Sequence, residues 1–221
     1  PARMNQKTVL VTSNFDNVGS LPCNTSIGGP AKGIIVREID ALGGQMPKTA
    51  DKTYLQMKML NTAKGPGVQS LRAQADKKVY PRYMQEVLKK QENLDIIEGM
   101  VEDLIVEDNC VKGVILDNGQ TIEGRMVILT TGTYLKAEIL CGDQKHASGP
   151  DQQKESKYLS EKLANLGMRI QRLKTGTPPR VEINSVDLLK DKFTSQELML
   201  IWHLVIKLMS LFLLKNKHHV I

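Results

Sequence analysis

Cys23 carries a thiol, a group that is intrinsically nucleophilic when ionised. It stands beside Asn24 in a stretch, Ser20 to Gly44, that packs Gly28, Gly29 and Gly33 into six positions around Pro30 and Lys32. Glycine at that density is too costly in backbone entropy for a helix or strand interior, so it marks a loop shaped for close backbone approach. From Ala31 onward Ile34, Ile35, Ile39 and Leu42 recur at helical spacing, and Gly43-Gly44 closes the pattern. A glycine-rich loop feeding a helix N-terminus suits a phosphate or the edge of a flavin, because the first helical N–H groups have no intrahelical partner. The same glycines serve equally as a tight surface turn, and a lone cysteine is more often an inert buried side chain. Two phosphate motifs are excluded: Lys32 is followed by Gly33 rather than by Ser or Thr, and GxGxxG spacing is absent.

Other reactive groups are scattered. Cys110 follows the turn pair Asp108-Asn109, Cys141 lies outside any motif, and both read as structural. The cysteines form no CxxC pair and no even disulfide set, and His218-His219 is isolated, so no metal site is expected and the compartment reads as reducing and cytoplasmic. Lys174-Thr-Gly-Thr-Pro-Pro-Arg180 contains the KTG of penicillin-recognising enzymes, but no SxxK or SDN accompanies it. Ser70 to Gln91 reads as helical, with Arg72, Lys77, Lys78, Arg82, Lys89 and Lys90 interleaved with Tyr80 and Tyr83. That composition serves single-stranded RNA or simply a solvated face. Pro81 within it implies a kink or two separate helices.

The elements that must hold these groups follow from periodicity. The apolar run in Thr8 to Thr12 is typical of a buried parallel strand, and no earlier strand or glycine turn of the dinucleotide-binding type precedes it. Lys52 to Leu60 reads as a short amphipathic helix and Gly65-Pro66-Gly67 as a loop. Residues 94–125 read as an antiparallel meander with turns at Asp108-Asn109 and Asp117-Asn118-Gly119. Met126 to Leu129 reads as a buried return strand whose carboxyl end, Thr130-Thr131-Gly132-Thr133, meets a ligand. Asp151 to Lys157 is polar and reads as mobile. Leu159, Leu163 and Leu166 mark a helix closed by Gly167, followed by a strand through Met168, Ile170 and Leu173.

The chain of 221 residues carries a formal charge of +6, which permits a polyanionic partner without requiring one. Only 4% of residues are aromatic, so the core must rest on Leu, Ile, Val and Met. The apolar run Leu198 to Leu214 is broken by His203, Lys207 and Ser210, which argues against a membrane span and for a divergent tail that favours aggregation.

Seven strings resemble, in order, the MnmG (GidA) family of flavin-dependent enzymes that modify the wobble uridine of certain transfer RNAs: CNTSIGGPAKG, VREIDALGGQM, LNTAKGPGV, LRAQADK, VEDLIVED, LTTGTYL and RLKTGTPPR. The resemblance runs from Met4 to about Asp187 and implies an α/β fold, a partial FAD-binding Rossmann-like domain (parallel sheet with antiparallel β-meander) whose first strand and GxGxxG turn are missing. On that reading residues 1–150 form the incomplete dinucleotide-binding domain, 151–188 begin a second domain and 189–221 are a non-native tail. The resemblance implies Cys23 as the nucleophile, with Thr25 standing where the family usually has proline. It implies flavin contacts at Gly28, Gly29, Lys32, Gly33, Val101, Gly132 and Ser156, Val101 through its backbone. Arg72, Gln74 and Asp76 either orient flavin or uridine or form a surface ion pair, and Lys174 and Arg180 belong to a substrate or cofactor wall. The implied cofactors are FAD, NADH and a folate one-carbon donor, and the implied partners are tRNA, the GTPase MnmE and a second copy of the chain. Two other readings stay open: an inactive remnant of a broken gene, and a flavin or nicotinamide oxidoreductase that does not bind RNA.

Overall fold

A computed structural model describes residues 1–176 and 182–185. In chain order the first elements are β1 (Thr8–Thr12), β2 (Ser26–Gly28), α1 (Lys32–Ala41), α2 (Gln45–Thr53), β3 (Tyr54–Leu60), β4 (Ser70–Ala75) and α3 (Val79–Lys89). Then come β5 (Leu94–Glu98), β6 (Val101–Glu107), β7 (Cys110–Leu116), β8 (Thr121–Glu123), β9 (Glu138–Cys141), β10 (Gln144–Ala147) and α4 (Leu159–Asn165). The chain divides into two units, one of Pro1–Asn24 with Pro81–Thr177 and one of Thr25–Tyr80 with Pro178–Ile221.

In the first unit β1 pairs in parallel with β5, Thr8 opposite Leu94 and Thr12 opposite Glu98. The expected strand at Thr8–Thr12 is therefore present, and its parallel partner is the segment that was expected to open the meander. Gln85 on α3 donates to the carbonyls of Asp16 and Val18 at 3.0 and 3.1 Å, which fixes the turn after β1. Lys89 sits 4.8 Å from the centre of the Phe15 ring, within cation–π range.

The meander begins at β6 rather than at Leu94, and runs antiparallel in the order β6-β7-β8. Its first turn is made by Asp108 and Asn109 at φ 48 and 59, the left-handed pair that matches the twist of a two-residue hairpin. Gly113 is required inside it, because a Cβ there would lie 2.2 Å from the Ile122 carbonyl oxygen. α4 buries Leu159 and Leu163 and ends at Gly167, φ 86, as its spacing indicates. Lys162 of α4 bonds Asp103 of β6 at 2.8 Å and holds that carboxyl below its ordinary pKa.

Three expectations in this unit are corrected. Met126 to Leu129 forms no strand, and Met126 and Ile128 are 87% and 70% exposed; with no neighbouring strand among the described residues, their carbonyls and amides have no ladder to join. Met168 to Leu173 likewise forms no strand, with Leu173 84% exposed. Asp151 to Lys157 is held rather than loose: Glu155 and Ser156 are buried, and Ser156 makes a parallel bridge with Leu135.

The second unit is a three-stranded antiparallel sheet in the order β2-β4-β3, joined by α1 and α2. The helix expected over residues 70–91 is replaced by strand β4 and helix α3, and that expected over Lys52 to Leu60 by the end of α2 and strand β3. Both strands alternate with period two: Leu71, Ala73 and Ala75 against Ser70, Arg72 and Gln74, and Met57 and Met59 against Gln56 and Lys58. Pairing on both sides of β4 overrides the helical propensity of its Ala, Leu, Arg and Gln. Pro81 falls in the first turn of α3, where its missing N–H costs nothing, so no kink is needed. The Ala75 N–H donates to Thr25 O at 2.9 Å, pinning the entry of this unit to its exit. α1 forms where expected, yet Ile34 and Ile35 are 59% and 56% exposed.

Candidate functional site

The glycine loop is built for packing. At Gly28, φ 91, a Cβ would stand 2.4 Å from the Leu71 carbonyl oxygen of β4, and at Gly33 it would stand 2.8 Å from Ser70 Oγ. The Gly29 N–H donates to Leu71 O at 2.8 Å and the Gly33 N–H to Gly29 O at 2.6 Å, while the Lys32 N–H turns back to Pro30 O at 2.7 Å. Three amides at the start of α1 are thus committed inside the loop, and Gly29 and Gly33 are buried. These bonds hold the loop in place, and its glycines let the backbone settle onto β4. Lys32 is exposed.

In the first unit Cys23 is half-buried and carries a free thiol. Tyr134, directly after the Thr130-Thr131-Gly132-Thr133 turn, has Ser20, Cys23 and Asp151 as neighbours. Burial lifts its phenol above the ordinary value; a hydrogen bond with the Ser20 side chain opposes that rise, and electrostatic interaction with the nearby Asp151 and Cys23 adds to it. The ring packs against the backbone of Gly149, where a Cβ would lie 2.6 Å from Tyr134 Cδ1. The sequence reading missed Tyr134; its position directly after the threonine-glycine turn is the available signal.

Val101 and Ser156, far apart in sequence, are brought together: Ser156 Oγ makes a long, weak 3.5 Å contact to Val101 O. The Ser156 N–H donates to Tyr134 O at 2.9 Å and its carbonyl accepts from the Lys136 N–H at 2.7 Å. Gly132, φ 57, is exposed in the turn before Tyr134. Lys174 is exposed and in no regular element, and Arg180 lies outside the described residues.

The second unit disposes of LRAQAD differently from a helix surface. Gln74 accepts a hydrogen bond from Ser26 Oγ at 2.7 Å and donates to Thr25 Oγ1, tying β2 to β4. Asp76 accepts from the backbone N–H groups of Lys78 and Val79 at 2.8 and 3.0 Å, which caps the start of α3. Arg72 is half-buried on the same face as Gln74, with Lys58 of β3 opposite it in register. Ser70, on that face too, is 9% exposed, and its Oγ has no hydrogen-bond partner among the described residues. Among the described residues no group of His, Cys, Asp and Glu could hold a metal ion, and no helix is long and apolar enough to cross a membrane. The apolar run Leu198 to Leu214 lies outside the described residues.

The chain is similar to the "tRNA uridine 5-carboxymethylaminomethyl modification enzyme MnmG" of Geobacillus kaustophilus, 56% identical over 186 residues covering 84% of this chain and 30% of that protein. The MnmG of Acholeplasma laidlawii is 54% identical over the same shares. The crystal structure of Aquifex aeolicus GidA superposes with a TM-score of 0.75 at 48% identity, over 80% of this chain and 30% of that one. The chain thus spans about 30% of the length of the curated relatives it matches. The model of the family described as "Glucose inhibited division protein A" matches residues 1–199, and the chain belongs to that family.

Proposed function

We propose that this chain is part of an enzyme that modifies the wobble uridine of transfer RNA, with Cys23 as the nucleophile. The observation that supports this most directly is the identity to proteins named for that tRNA modification, across 84% of the chain. The free, half-buried thiol beside Tyr134 gives the reading its chemistry. In that chemistry the Cys23 thiolate adds to carbon six of the uracil ring, forming an S–C bond and pushing the ring electrons toward the carbonyl oxygen at carbon four. Carbon five then attacks the electrophilic methylene of a folate donor, forming a C–C bond as the iminium electron pair returns to the folate nitrogen, and an amine nucleophile later displaces that nitrogen from the methylene. Loss of the carbon-five proton and departure of the thiolate restore the ring. A loop nucleotide suits this reaction because its base is exposed at little unstacking cost.

The same reading takes FAD and NADH as redox cofactors, with Val101, Gly132 and Ser156 of the first unit as contacts to the flavin. Flavin held there would supply redox chemistry during the one-carbon transfer. The reading also takes the GTPase MnmE and a second copy of the chain as partners, in the cytoplasm. Cys23→Ser in a full-length relative tests the nucleophile by mass spectrometry of tRNA nucleosides. The modified uridine disappears while the flavin absorbance is kept; unchanged turnover removes Cys23 from the chemistry.

A further inference from the structure

The antiparallel register of the second unit sets two cations face to face. Lys58 of β3 lies directly opposite Arg72 of β4, so their side chains emerge on one face, with Cβ atoms about 5 Å apart. Both are half-buried, and neither has a carboxylate partner among the described residues. Like charges directly opposite each other weaken a sheet, and partial burial reduces the solvent screening that would soften the repulsion. Across β4 from Lys58, the residue opposite Arg72 is Gly28, which places no side chain over the pair. Two residues along β4 on the same face, the buried Ser70 Oγ is without a partner.

We infer that Lys58 and Arg72 form a phosphate-binding pair. The guanidinium fork spans two phosphate oxygens, and the ammonium adds a mobile point charge, the division of labour that a phosphodiester rewards. An anion seated there turns the repulsion into attraction for both cations, so the sheet gives up stability when empty and recovers it when loaded. The phosphate belongs either to the backbone of the RNA or to a dinucleotide; only the first source rests on the function proposed above.

The test uses the whole 221-residue chain. Binding of an unmodified anticodon stem-loop RNA is followed by fluorescence anisotropy at several salt concentrations, and binding of NADH by its own fluorescence, for the parent, Lys58→Gln, Arg72→Gln, Lys58→Arg and Lys112→Gln, an exposed lysine of the first unit. Each glutamine variant on the pair is expected to weaken RNA binding several-fold and to lower the slope of log affinity against log salt by about 0.7 to 0.9. Lys58→Arg and Lys112→Gln keep parental affinity, and neither glutamine variant of the pair melts below the parent. If those variants weaken NADH alone, the pair stands as a dinucleotide phosphate site and the RNA reading loses support. If neither probe's binding changes, including because the parent binds neither, the pair is not a phosphate site. A lower melting temperature in Lys58→Gln and Arg72→Gln with unchanged affinities likewise assigns the pair a purely structural role and overturns the proposal.

Discussion

Gly28 carries two constraints at once, a left-handed φ of 91 and a β4 carbonyl 2.4 Å from where a methyl group would sit. Gly28→Ala therefore costs about 1–3 kcal/mol from backbone strain alone, before the clash is counted, and a urea melt of the variant reads it. Its role was only half legible beforehand. Sequence shows that the glycines at 28, 29 and 33 mark close approach, but not what approaches; it is β4, through the Leu71 carbonyl at Gly28 and the Ser70 hydroxyl at Gly33, with the Gly29 N–H donating to Leu71 O. Cys23, Val101 and Ser156 were each named from motifs, whereas Tyr134, signalled only by its place after the threonine-glycine turn, was missed because its neighbours Ser20 and Asp151 converge only through the fold.

Elements were legible where local pattern and tertiary pairing agree. β1 matches its expected span because Val9, Leu10 and Val11 favour a strand by composition as well as by position. β4 was hidden because Ser-Leu-Arg-Ala-Gln-Ala is made largely of good helix formers, and only its two flanking strands force it to extend. Asp76, read as a wall residue or an ion-pair member, starts the next helix. Asp76→Ala should cost about 1 kcal/mol, measured by thermal or urea unfolding, since two N–H groups lose their acceptor. The Asp103–Lys162 contact between β6 and α4 predicts a pH effect whose sign is fixed. The Asp103 carboxyl is held below its ordinary value chiefly by the Lys162 hydrogen bond, so its contribution is present above the ordinary aspartate range and lost as pH falls through the depressed pKa. Melting curves should show Asp103→Asn less stable than the parent near neutrality, with the gap closing in acid.

At the scale of the molecule, exposed apolar side chains dominate behaviour. Ile34 and Ile35 lie on α1 with more than half their surface in water, although their helical spacing suggests a buried stripe. Replacing both by lysine should raise the concentration at which the chain remains unaggregated in light scattering, with the circular-dichroism spectrum unchanged. The sequence indicated the α/β class and the meander, but not the division into two units. That division follows from long-range pairing: one unit is interrupted after Asn24 and resumes at Pro81.

The bond between the Ala75 amide and the Thr25 carbonyl acts as a clasp at the neck of the interposed segment. Because the ends are already fastened, residues added in the turn around Gly65-Pro66-Gly67 enlarge a closed loop, whose entropic cost grows only logarithmically with length. Residues inserted at that tip should therefore leave the β2-β4-β3 pairing of this unit intact.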